Sequence, residues 1–155
     1  MSKRWLLLLP CLALVIAPAA TAEQAARAIS FNFTKVEWSA VVASGNHTGM
    51  GSGTVPLGST RVAWRLTLQA SPKGLRGTLT LGKGANSVVL GITASVAAGD
   101  VNGDGFSGIG TYTVKGGRGA LRQRFAAPSP KSVLFDAIRE SSGALQISFN
   151  FDKIA

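Results

Sequence analysis

The sequence predicts an all-β protein, a single antiparallel β-barrel of about eight strands, with a two-sheet β-sandwich as the alternative. Three observations carry this. Apolar and polar residues alternate with a period of two along nearly every segment of the chain after residue 28. Glycine-rich turns divide those segments, and no long amphipathic helix lies between them. The first and last segments are near copies: Ile29-Ser-Phe-Asn-Phe-Thr-Lys-Val returns as Ile147-Ser-Phe-Asn-Phe-Asp-Lys-Ile. Chain ends that present the same faces predict two neighbouring strands that close a barrel and leave no exposed edge.

The start of the chain is different. Met1-Ser-Lys-Arg is positive, residues 5–16 are apolar but for Pro10, and Ala20-Thr-Ala22 is an Ala-x-Ala site. This predicts a secretory signal peptide over 1–22, cut after Ala22, and one domain over 23–155 exported to the periplasm or beyond. The apolar run is short for a bilayer. Cys11, the one cysteine, falls in the leader, and Pro10 before it opposes lipid attachment there. The mature chain is therefore expected to have no disulfide, no Cys metal site and no Cys nucleophile.

Residues 23–28 read as a short helical turn or a tail. Ile29, Phe31 and Phe33 share one face of a strand. After Lys35 the phase flips to Val36, Trp38, Ala40 and Val42, which predicts a bulge or bend. Residues 44–54, with their glycines, read as a flexible loop or wide hairpin. Pro56 predicts a strand end or an edge. Residues 60–70 give the cleanest strand, with Val62, Trp64, Leu66 and Leu68 opposite Arg61, Arg65, Thr67 and Gln69. Strands follow over 75–81 and 87–96, separated by turns at 71–74 and 82–86. A further strand sets Tyr112 and Val114 against Thr111 and Thr113. Residues 120–125 read as a basic strand, 132–139 as a strand or short helix, and 144–154 as the closing strand.

The 16 lysines and arginines outnumber the 7 acids, for a net charge of +9, and loss of Lys3 and Arg4 with the leader leaves +7. A basic exported protein suits an acidic polysaccharide or an anionic envelope surface. Two tryptophans and one tyrosine after the leader are too few for a base-stacking platform, so no specific nucleic-acid binding is expected. Lys115, Arg118, Arg122 and Arg124 gather around one turn; on a strand Arg122 and Arg124 share a face, giving either an anion site or a charged edge. Asp100-Val-Asn-Gly-Asp-Gly places oxygens at Asp100, Asn102 and Asp104 with glycine at the sixth position, as a calcium loop begins. Gly108 and Thr111 stand where later ligands would be, and Asn-Gly and Asp-Gly are also ordinary hairpin turns. His47, the only histidine, reads as a loop surface residue. Ser52 lacks the strand-turn-helix setting of a nucleophile elbow, and Gly49, Gly51 and Gly53 lack that of a phosphate loop. No catalytic residues are assigned.

Gly108-Ile-Gly-Thr-Tyr-Thr-Val-Lys-Gly-Gly-Arg-Gly-Ala-Leu-Arg resembles a signature hairpin of the allene oxide cyclase/dirigent superfamily, in which a Gly-x-Gly-x-Tyr strand precedes Gly-Gly-x-Gly. The resemblance implies an eight-stranded antiparallel barrel, often a dimer or trimer, with an apolar ligand cavity. The family's acidic catalytic residues have no counterparts that can be placed in this chain. The function expected is an exported, non-catalytic barrel for a small apolar or amphipathic ligand or a protein partner. The alternatives are a cell-envelope binder of anionic polymer through Lys115, Arg118, Arg122 and Arg124, and a cyclase or isomerase.

Overall fold

The structure, a computed structural model, describes residues 27–41, 46–126 and 131–154; the leader and its cleavage site lie outside them. Eight strands form one closed antiparallel barrel in chain order, β1 through β8, with β8 returning to β1. They are β1 (Arg27–Val41), β2 (Asn46–Leu57), β3 (Thr60–Ser71), β4 (Gly74–Lys83), β5 (Asn86–Gly99), β6 (Gly105–Arg118), β7 (Lys131–Arg139) and β8 (Leu145–Ile154), with one helix, α1 (Gly119–Phe125), between β6 and β7.

Alternation decides which residues fill the barrel. Leu66, Leu79, Leu81 and Leu90 are fully buried, while Arg65, Thr78 and Thr93 between such positions face outward. The two copies of Ile-Ser-Phe-Asn-Phe lie against each other in β1 and β8, so closure is as the repeat predicts. The phase flip is a bulge: the β1–β8 register shifts between Phe33 and Val36, and Lys35 takes a positive φ of 57°. Just after it β1 changes partner, pairing with β8 as far as Val36 and with β2 from Glu37 onward. Pro56 lies in the part of β2 that pairs only with β3, where its missing N–H costs no ladder bond.

The interior is packed with large buried side chains. Every tryptophan, tyrosine and phenylalanine of the described residues joins one chain of ring contacts. From one end it runs Trp38 to Phe106 (5.7 Å between centroids), Phe135 (5.8 Å), Phe149 (6.5 Å), Phe151 (5.9 Å) and Phe125 (5.9 Å). Tilted and edge-on contacts of this kind add to the burial of large apolar surfaces.

Two segments differ from expectation. Residues 46–57 are a full strand rather than a loop, because glycine is what this wall requires. A Cβ at Gly49 would sit 2.9 Å from the Trp38 ring, and one at Gly51 2.9 Å from the Trp64 ring. The glycine track is the floor on which both indoles lie. Residues 120–125 belong to α1 rather than a strand. Leu121 and Phe125 fit a period of two, but four residues apart they also share a helix face, and as the buried pair of α1 they plug the barrel end. Ala, Leu, Arg and Gln favour the helix. Its first turn is held from outside: the Leu121 N–H donates to Asn86 Oδ1 at 2.9 Å.

Candidate functional site

The end of the barrel opposite α1 carries its unusual chemistry. Here β1 and β2 meet, β3 turns into β4, and the 100–104 loop joins β5 to β6. His47 lies on the inward face of β2, with Ala70 of β3 opposite and only 5% of its surface exposed. It is a buried residue, not a loop surface one. Its ring stacks on Trp38 at 5.2 Å and 10° between planes. Trp38 can lie this low because Gly49, its ladder partner, has no side chain. Phe106 also packs on the indole, at 5.7 Å and 33° between planes.

Arg139 reaches the same place from the end of β7. Its N–H donates to the Asp104 carbonyl at 2.7 Å, which ties β7 to the loop, and its Nη2 donates to the Val101 carbonyl at 3.5 Å. Val101 is fully buried beneath the loop.

Three buried side-chain nitrogens among the described residues have no hydrogen-bond partner: Trp38 Nε1, His47 Nδ1 and Arg139 Nε. All three belong to this cluster. Buried polar atoms are almost always paired, because an unpaired one forfeits its hydration for nothing. Two of the three are obligate donors. Burial, above all, holds the His47 imidazole below its usual 6.5; the Arg139 charge pushes it the same way, and Asp100 opposes them. His47 is therefore neutral at physiological pH, and the one positive charge in the cluster is the guanidinium. Beside His47 a rim groove of about 550 Å³ opens between Asn46, Gln69, Ser71 and Lys73.

The other sequence-derived candidates fare differently. In the 100–104 loop Asp100 Oδ1 accepts hydrogen bonds from the Asn102 N–H (2.9 Å) and Nδ2 (3.0 Å). That is an Asx turn, with one carboxylate oxygen committed to the loop's own donors. Among the described residues no three His, Cys, Asp or Glu side chains stand where they could share a metal ion. The four basic residues are divided between β6 and α1. Lys115 lies on the outer wall over Gly91, Arg118 ends β6, and Arg122 and Arg124 sit on α1. Two residues apart on a helix is about 200°, so the shared face expected of a strand is lost: Arg122 is exposed and Arg124 half-buried.

No family model, curated protein or solved structure matches this chain. The reading of the site rests on its geometry.

Proposed function

We propose that this is an exported binding barrel that takes a small amphipathic ligand by its carboxylate end at the mouth formed by Trp38, His47 and Arg139. The observation that carries the reading is that the three unpartnered buried nitrogens belong to linked residues: Trp38 stacks on His47, and the Arg139 charge acts on the His47 imidazole. A carboxylate offers acceptors to the indole N–H and the guanidinium N–H, and a charge-assisted bond to arginine is the strongest of these. The ligand's apolar part would meet the half-buried Trp38 ring, which Phe106 backs from within. A binding role suits the cluster better than a catalytic one. An activated hydroxyl nucleophile needs a base hydrogen-bonded to it and a third group orienting that base, whereas His47 Nδ1 has no partner.

The test is a titration of the ¹⁵N-labelled mature protein with octanoate, and separately with octanol. The Trp38 indole and Arg139 Nε–H resonances are expected to move with octanoate and to stay with octanol. Equal responses to both, or none to octanoate, would overturn the reading.

A further inference from the structure

The acids of this chain are unevenly placed. Between Glu37 and Asp100 there is no aspartate or glutamate, yet that interval holds Arg61, Arg65, Lys73, Arg76 and Lys83. It builds β2 to β5, so half of the barrel wall carries cations with no carboxylate of its own to neutralise them.

The ladders order this wall into outward rows. One row runs Thr48, Gln69, Arg76, Thr93 and Thr111 across five strands, and the next runs Met50, Thr67, Thr78, Gly91 and Thr113. Gly91 leaves a gap in the second row, and the Lys115 stem lies in it. A Cβ at residue 91 would stand 2.7 Å from Lys115 Cε and 3.2 Å from Cγ. The lysine is thus laid flat across β5 instead of standing off the sheet.

Two grooves follow the rows. The rim groove of about 550 Å³ reaches from Lys73 to Arg76. A second, of about 530 Å³, reaches from Arg76 to Lys115. Thr48, Gln69, Arg76 and Thr93 border both, so the two are one trough running from the mouth down the outer wall. Three cations are spaced along it, hydroxyl and amide side chains lie between them, and no carboxylate, Phe, Tyr or Trp lines it.

We propose that this trough binds a strand of acidic polysaccharide. The sugar carboxylates meet Lys73, Arg76 and Lys115, and the threonine hydroxyls and Gln69 exchange hydrogen bonds with the sugar hydroxyls. The lining of the trough extends across five strands, from Thr48 of β2 to Thr111 of β6, as a linear polymer needs. It has no ring for a base to stack on, which sets it apart from a single-strand nucleic-acid groove. Leu68 and Leu75 line it but are buried, so Met50 is its one exposed large apolar side chain, fewer than the row of apolar anchors a membrane-bound face presents. Arg118, Arg122 and Arg124 do not line this surface, and of the mouth cluster only His47 borders it, at the rim end.

Calorimetry with oligogalacturonate of defined length, at low and at physiological salt, tests this. The wild-type affinity is expected to fall steeply as salt rises. Arg76→Gln combined with Lys115→Gln should weaken binding about tenfold. Arg118→Gln with Arg122→Gln removes the same charge elsewhere and should leave binding unchanged. All four substituted cations are exposed, and matching thermal melts confirm that the variants are folded. The proposal is overturned by no binding, by equal losses in the two double variants, or by tighter binding to oligothymidylate or to phosphatidylglycerol vesicles than to the polysaccharide.

Discussion

Phe31 of β1 stands directly opposite Phe149 of β8, each the central residue of one copy of Ile-Ser-Phe-Asn-Phe. Around that pair the ladder is locally two-fold: Ile29 meets Phe151 and Phe33 meets Ile147. Antiparallel pairing of two copies about a common centre places like faces on the same side, so Phe31, Phe33, Phe149 and Phe151 all point into the core, at most 1% exposed. Barrel closure is thus specified by a repeated pentapeptide.

Closure through this seam makes β8 indispensable. Deleting residues 145–155 removes Ile147, Phe149 and Phe151 from the core and opens two ladders, so the truncated chain should give no cooperative thermal transition by circular dichroism. A milder cut is Phe149→Ala. It empties a site in ring contact with Phe33, Phe135 and Phe151 and should cost about 3–5 kcal/mol in a urea melt.

The glycines of β2 should be intolerant of side chains in proportion to what lies over them. Gly49→Val drives a branched side chain into the Trp38 ring and is expected to cost about 1–3 kcal/mol. It should also disturb the Trp38–His47 stack, read as a shift in tryptophan emission. Gly116→Ala is the contrasting case. A Cβ there meets nothing within 4 Å, and the change should stay within about 0.5 kcal/mol.

Where side chains alternate, the sequence shows the wall. Val62 to Leu68, Val88 to Val96 and the flip at Lys35 all took the places their parity dictates. Where a strand is made of glycine there is no parity to read. The reason for Gly49, Gly51 and Gly53 lies in Trp38 and Trp64, remote in sequence until the strands pair. That gap also hid His47, whose inward position follows only once residues 46–57 are a strand. The signal available was the coincidence of an every-second-residue glycine track with two tryptophans on adjoining segments. The helix was hidden for another reason: seven residues with Leu121 and Phe125 at its apolar positions satisfy either period, and only the barrel end to be plugged decides between them.

The cap on that plug gives a further prediction. Asn86 opens β5, just after the β4–β5 turn, and accepts the Leu121 N–H, a service usually given by a residue at the helix's own start. Arg118, at that start, makes no side-chain cap bond. Asn86→Ala should therefore destabilise the protein by about 1 kcal/mol. Amide exchange at Leu121 should rise more than in the β3–β4 ladder. A change spread evenly over the barrel would mean that α1 is not separately capped.

The mouth cluster fixes the sign of a pH effect. The folded imidazole of His47 titrates below 6.5, while the unfolded one titrates near it. Above about pH 6.5 both states are neutral and the stability is fully present. As the pH falls toward the folded value, the unfolded chain takes the proton first and stability is lost. The slope stays below the one-proton limit of about 1.4 kcal/mol per pH unit. Urea melts between pH 7.5 and 5 should show this loss in the wild type and a flatter profile in His47→Gln. Because His47 is the only histidine, its titration can be followed by NMR without ambiguity. Arg139→Met removes a neighbouring positive charge and should raise the pKa, whereas Asp100→Asn removes the opposing negative one and should lower it. Shifts of the same sign in the two variants would show that burial alone sets the value and that Arg139 does not act on His47 across the mouth.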